Sequence, residues 1–579
     1  MTTETTPVIP LPAARIITAV GAVATTASAF LAWTWTSDFP GDLTVTGYPG
    51  GLQWLTLTAG LLTLLLALAA SGTPGLRWAA PSRSHNATLL AAVGAAAVTW
   101  FTLIAISVEL GGLANLEPGG WVAGAASLVA LLGALSLPLE RHPDGNFGGL
   151  TKKSDQPLPA ARQLPSWAEV LLIIAAFAIG LFVVTFGLDA EGGELFVGYL
   201  ITLGFAVAAL TRSGLTARLR GLTTKHRQVT TGAAFAAAAA FPFSQTSDQY
   251  TSVAVNILIF ATVALGLNIV VGLAGLLDLG YIAFLGVGAY AAALVSGSPA
   301  SPIHVQFPFW AAVLTGAVVA MIFGVVIGAP TLRLRGDYLA IVTLGFGEIF
   351  RITMNNLNGT TGPNVTNGSN GIPRIPDLQI LGFDLGKAHS VGGIELGRFS
   401  NYYLLMLLIT IVVVLVFSRV GNSRIGRAWV AIREDETAAE AMGINGFRLK
   451  LLAFALGACL AGTAGTIQAH VQYTVTPDQY TFADALPPNS AFLLAAVILG
   501  GMGTISGPLV GATMLFLIPK KLQFLSDYQL LAFGIALIVL MRVRPEGLIP
   551  NRRQQLEFHE ADIPAQAVPA EAAATKAGA

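Results

Sequence analysis

The stretch Arg424–Phe447, RIGRAWVAIREDETAAEAMGINGF, concentrates ionisable side chains in a chain of 579 residues of which only 11% are charged. Its spacing suits contact rather than covalent chemistry. Thr437-Ala438-Ala439-Glu440 has the S/T-x-x-E form of a capping box, which predicts a helix start with Thr437 and Glu440 satisfying the free amides reciprocally. Gly443 then falls just past the helix end, where a left-handed backbone is needed. Ala438, Ala441 and Met442 lie three and four residues apart and form one small apolar face, with charge from Glu434, Asp435 and Glu440 around it. Such a face can dock into a groove on a partner. The competing reading is a solvated loop with a single helical turn.

Other chemistry-bearing residues sit inside apolar runs, where a charge costs about 2.5 to 3.5 kcal/mol on insertion scales. Glu348 and Arg351, three apart, can pair on one helix face, either as a structural ion pair or lining a route. Asn256 and Asn268 are uncharged pathway candidates, and Asp278 lies near the expected inner boundary. G-x-x-x-x-G-K-[ST] does not occur; Gly386-Lys387 is followed by alanine and lacks the first glycine. No Ser/His/Asp or paired-carboxylate spacing suggests an enzyme. The seven histidines show neither HExxH nor paired spacing, so no metal or cofactor site is expected in this chain. The single cysteine, Cys459, is read as a small packed hydrophobe.

The elements that must position these residues are membrane spans. A hydrophobic fraction of 54%, 64 glycines and a mean hydropathy of +0.69 exclude an ordinary soluble protein. Formal net charge is zero, so no overall field favours nucleic acid. Apolar runs over roughly Arg15–Trp35, Gly51–Ala70, Leu89–Leu110, Trp121–Pro138, Trp167–Gly187 and Leu195–Thr211 each approach the ~20 residues that cross a bilayer as a helix. The first could be a cleaved signal segment, but it continues past its A-x-A site and is read as a retained span. Further runs follow near Val229–Phe243, Ser252–Val271, Leu276–Val295, Phe307–Ala329, Tyr338–Met354, Asn401–Phe417, Leu449–Val471, Ser490–Leu499, Pro508–Pro519 and Tyr528–Met541. The expectation is an all-α polytopic membrane protein of about 16 transmembrane helices, about 6 in an N-terminal part and about 10 in the remainder. Ser490–Leu499 and Pro508–Pro519 are short and separated by the glycine-rich GGMGTISGP, which predicts broken or re-entrant helices.

Loop charges set the orientation. Basic loops such as Arg212–Arg227 and Arg419–Lys450 alternate with acidic ones such as Asp189–Glu194, placing both termini in the cytoplasm. Lys520 and Lys521 dissent. The Gly-, Asn- and Pro-rich loop Asn355–Ser400 falls outside and is long enough to meet an external protein. The tail from about Gln554, rich in Ala, Glu and Pro, is expected to be disordered.

LGLNIVVGLAGLLDLGYIAFLGVGAYAAAL (Leu265–Leu294), LRLRGDYLAIVTLGFGEIFR (Leu332–Arg351), IGRAWVAIREDETAAEAMGIN (Ile425–Asn445) and VILGGMGTISGPLVGA (Val497–Ala512) resemble the permeases of branched-chain amino-acid ABC importers, the larger M-type subunit in particular. The resemblance covers roughly Val229–Pro550. It implies a multi-pass subunit of the bacterial plasma membrane that pairs with a second, smaller permease, two cytoplasmic ATPases and an external solute-binding protein, with ATP hydrolysed by the partners. It also implies that the charged stretch is the ATPase-coupling loop, with Ala439, Glu440 and Gly443 at the EAA…G positions and Arg424, Arg427, Arg433, Glu434 and Thr437 around them. The resulting division is an N-terminal membrane extension over 1–220, a permease core over 221–550 and a tail over 551–579. Leucine, isoleucine or valine is the expected cargo, with urea or short amides as the alternative within the family. An ion-coupled secondary transporter is the alternative outside it.

Overall fold

The computed structural model describes residues 9–34, 50–73, 75–82, 84–138, 165–190, 192–245, 248–332, 337–360, 362–380, 382–391, 394–483, 489–521, 528–543 and 547–549. The basic loop 141–162, Arg333, Arg335, the prolines Pro487 and Pro488, and the tail lie outside the described residues. The chain is all-α and polytopic. Among the described residues ten helices are long and apolar enough to cross a membrane.

Contacts divide the chain into two units, the first made of the residues up to Gln245 together with a short segment that begins at Lys521. The first unit contains α1 (Leu11–Ser28), α2 (Gly51–Ser71), α3 (His85–Glu109), α4 (Pro118–Leu135), α5 (Ser166–Asp189), α6 (Gly193–Ser213), α7 (Leu215–Lys225) and α8 (Arg227–Ser244). Small residues let its helices approach closely, as expected where apolar attraction cannot distinguish helix from lipid. A Cβ on Gly21 of α1 would lie 2.4 Å from the Ala130 backbone of α4, and one on Gly94 of α3 would lie 2.5 Å from Phe205 of α6. The helix α8, expected from sequence to open the permease core, packs against α5 and belongs to this unit.

The second unit contains α9 (Asp248–Asn268), which runs into a π-helical turn over Ile269–Leu273. It continues through α10 (Ile282–Leu294), α11 (Phe309–Thr331), α12 (Asp337–Asn356), α13 (Arg398–Gly421), α14 (Arg424–Glu434), α15 (Glu436–Ala441) and α16 (Gly446–Gln472). Three further helices follow, α17 (Ser490–Gly500), α18 (Ser506–Lys521) and α19 (Gln529–Val543). The long helix α16 is its axis, packed against α9, α10 and α11. Gly288, Gly316 and Gly462 bring α10, α11 and α16 into backbone contact, for a Cβ on Gly288 would lie 2.4 Å from the Gly462 backbone and one on Gly462 2.5 Å from the Gly316 carbonyl.

Every run read as a span overlaps a helix, but not all are spans by length and apolarity. The run expected over Leu276–Val295 is helical only from Ile282. Its first part is held as irregular backbone by Gly275 (φ +71°), by Asp278, whose Oδ1 accepts from the Gly280 N–H at 2.9 Å, and by Thr343, whose hydroxyl accepts from the Leu279 N–H at 3.0 Å. At about 1.5 Å per residue, α10 and α17 reach only ~20 Å and ~16 Å, short of the ~30 Å of hydrocarbon. In the irregular backbone before α10, Leu276, Asp278 and Gly280 are buried, while Gly275 and Leu277 are exposed.

The loop between α12 and α13 is pinned to the helix ends. Arg398 Nε donates to Asp377 Oδ1 at 2.8 Å, and its terminal nitrogens donate to the His470 and Val471 carbonyls. Its guanidinium lies 3.7 Å from the Tyr473 ring centroid, and the Tyr402 and Tyr473 hydroxyls both donate to Asp377. Ile372–Pro373 pairs antiparallel with Thr474–Val475. Long as it is, this loop is built.

Candidate functional site

The charged stretch folds into two helices rather than one. Ser423 starts α14, its hydroxyl accepting from the Gly426 N–H at 3.3 Å, and Gly426, Trp429 and Ile432 form the buried stripe. The next helix, α15, begins two residues earlier than the capping-box reading placed it. Asp435 is the N-cap, its Oδ1 accepting from the Ala438 N–H at 3.0 Å, so Thr437 lies inside the helix and Glu440 makes no reciprocal cap. Both acceptors were legible; the aspartate won because its extended backbone (φ −154°) breaks α14 from α15 at the same point. Gly443 does close the helix, with φ +84°, and the Ile444 N–H reaches back to the Ala439 carbonyl at 3.1 Å.

Three bonds fasten this pair of helices to the spans. Trp429, fully buried, donates its indole N–H to the Leu449 carbonyl at the base of α16 at 2.7 Å. Lys450, also buried, donates to Glu436 at 2.6 Å. Arg433 Nη1 donates to the Gly272 carbonyl in the π turn at 2.8 Å, and Gly275 is close enough that a Cβ there would lie 2.5 Å from Arg433 Cγ. Beyond these anchors, α15 turns Ala438, Ala441, Met442 and Glu440 outward while Ala439 is buried beneath them. Met442 is 84% exposed. Arg424 and Arg427 are exposed on α14, Arg427 reaching the Asn422 carbonyl, and Glu434 is exposed beside Arg433.

The π turn meets a second irregular segment. Asn268, the last residue of α9, is fully buried; its Nδ2 donates to the Thr504 carbonyl at 2.7 Å and its Oδ1 accepts from the Gly503 N–H at 2.8 Å. Both amide atoms are thereby spent on the glycine-rich turn between α17 and α18. That turn is a close-packed hairpin, since a Cβ on Gly511 would lie 2.0 Å from the Ala496 carbonyl oxygen. Arg433, the π turn, Asn268 and the 501–504 turn are therefore contiguous. A π bulge is one residue out of register with the α-helix around it, a geometry that recurs at functional sites.

The remaining candidates are placed separately. Asn256 is half-buried and donates to the Ser252 carbonyl of its own helix at 2.8 Å. Glu348 and Arg351 do pair on α12, and Arg351 also meets Asp478 at 3.5 Å. Sequence reading missed Trp429, the capping role of Asp435 and the Lys450–Glu436 bond. The spacing of Gly426, Trp429 and Ile432 carried the first, an amphipathic pattern overlooked beneath the density of charge.

Comparison with known proteins bears on these same segments. A family model described as "Branched-chain amino acid transport system / permease component" matches residues 249–541, which contain every element of this site. The chain belongs to that family. Among its relatives is the high-affinity branched-chain amino acid transport system permease protein LivM of Salmonella typhimurium, 38% identical over 335 residues, which are 55% of this chain and 74% of the relative. LivM of Escherichia coli gives the same identity and coverage. LivH of Salmonella typhimurium, another permease protein of such a system, is 24% identical over 302 residues, 50% of this chain and 91% of the relative. No solved structure is significantly similar. The family match begins just after the first unit ends, so α1–α8 lie before the matched residues.

Proposed function

We propose that this chain is the larger permease subunit of an ATP-driven bacterial importer of branched-chain amino acids. It works in the plasma membrane with a second, smaller permease, two cytoplasmic ATPases and an external solute-binding protein. The observation that carries the reading is the α14–α15 foot: an exposed small apolar face with a carboxylate, held by three side-chain bonds to the membrane helices, inside the segment that the permease family model matches. The basic loops around it support a cytoplasmic side for the foot and both termini.

In this reading ATP binding closes the ATPases and displaces α15. The displacement passes along α14 to the π turn through Arg433, and from there through Asn268 to the turn between α17 and α18. Irregular backbone at both receiving points can change its dihedrals without breaking a helix. The motor lies in the partner chains, and substrate choice rests mainly with the solute-binding protein. The names of the relatives favour branched-chain amino acids over urea or short amides.

Glu440→Arg tests this. Glu440 is exposed and caps nothing, so its reversal leaves the chain's own fold intact while placing the wrong charge at the contact, which can cost several kcal/mol of binding. In the importer purified into lipid, ATPase co-purification and ATP hydrolysis stimulated by loaded binding protein should both fall. Wild-type stimulation and uptake would return the foot to a passive loop.

A further inference from the structure

One face of α12 is open. Leu339, Thr343, Gly347 and Phe350 are buried on the side that meets the irregular segment before α10. The opposite side presents Ile341, Gly345, Glu348, Ile349 and Ile352, spaced as one helical stripe. Ile341 and Ile349 are 63% and 64% exposed, and nothing lies within 4 Å of where a Gly345 Cβ would be. The Glu348 side chain, 47% exposed, shares this stripe with its partner Arg351 beside it.

A bilayer cannot cover this surface. The helix has 20 residues, a length of ~30 Å, and Glu348 is near its midpoint. A mid-depth charge facing hydrocarbon is strongly disfavoured even when paired, and such residues face protein or water. Nor is α12 among the helices apolar enough to qualify as a span by composition. The large isoleucines flanking the charges argue against an aqueous wall. Gly345 lets another helix come close, and the adjacent opposite charges give a crossing helix a partner for polar groups of either sign. The occupant is a protein of the same kind, because this chain is similar in sequence to both LivM and LivH, two permease proteins of branched-chain amino acid transport systems. Homologous chains related by an approximate two-fold axis bring the same patch of each against the other.

We propose that the Ile341–Ile352 stripe of α12 is the surface against which the second permease packs, with Glu348 and Arg351 as the polar centre of that contact. This rests on the two-permease importer proposed above. The test uses the assembled importer in lipid vesicles with Cys459→Ala and a spin label on Ile341→Cys or Ile349→Cys, and Leu408→Cys of α13, 56% exposed, as the lipid-facing control. Collision with oxygen reports hydrocarbon, and collision with a soluble nickel chelate reports water. The expected result is loss of access to both reagents at Ile341 and Ile349, with oxygen access retained at Leu408. Oxygen access on the stripe would mean lipid and nickel access a water-lined route; either overturns the assignment.

A second variant guards against a label that perturbs assembly. Gly345→Trp fits the lone chain, where that space is open, and should insert normally yet lose the second permease on co-purification, whereas Leu408→Trp should keep it. Retention by Gly345→Trp overturns the inference. Failure of the unsubstituted chain to assemble with any second permease would instead overturn the importer reading, and the interface with it.

Discussion

Asn268→Ala separates a tether from a passive core residue. Asn268 is fully buried and makes two bonds of 2.7 and 2.8 Å to the 501–504 turn. Alanine fits the helix end but strands the Gly503 N–H and the Thr504 carbonyl, each at about 1–3 kcal/mol when water cannot reach it. Gly503 and Thr504 are half-buried, so the low end applies to each, and the pair amounts to about 2–3 kcal/mol. At 1.4 kcal/mol per factor of ten, the released form of the turn gains about 30- to 140-fold in population. Hydrogen exchange of the segment 500–508 in the assembled importer should accelerate by that factor, with exchange in α16 unchanged. ATP hydrolysis should continue while uptake per ATP falls. Unaltered exchange at 500–508 would show that the two bonds contribute nothing to holding the turn, and unaltered uptake per ATP with faster exchange would remove Asn268 from the transmission route.

Gly275→Ala puts a Cβ at φ +71° and within 2.5 Å of Arg433 Cγ, so it should displace Arg433 from the Gly272 carbonyl; uptake should drop several-fold with ATPase co-purification unchanged. Asp435→Ala should cost about 1 kcal/mol at the start of α15, seen as faster proteolysis or exchange over 436–441, whereas Thr437→Ala should be close to neutral. A larger effect at Thr437 would restore the capping-box register.

The legibility of the chain divides by range of interaction. Span positions were readable because hydropathy is a local sum, and Gly443 because a helix end needs a left-handed residue. The N-cap was misplaced because Asp435 and Thr437 are both acceptors at plausible spacing, and the choice depends on where α14 stops, which Trp429 settles by reaching Leu449 twenty residues on. Asn268 was recognisable as a polar residue in an apolar run, but its partners lie 235 and 236 residues away and leave no periodic trace. The same holds for Arg433 and Gly272. Glu348 and Arg351 were legible as a pair because their geometry is intrahelical, whereas their exposure depends on which side of α12 finds neighbours.

The glycine contacts among α10, α11 and α16 also bear on how the protein meets its bilayer. Where backbone touches backbone, no side chain can repack to let one helix tilt or slide past the next. Membranes of unequal thickness are usually accommodated by tilting individual helices. Here those three helices must lean as one body, and the misfit falls on the irregular segments at its edge, 274–281 and 501–505, the second of which also receives the motion of the foot in the proposed mechanism. Under the proposed mechanism, acyl-chain length in the surrounding lipid would then act on the 501–505 joint that ATP also moves.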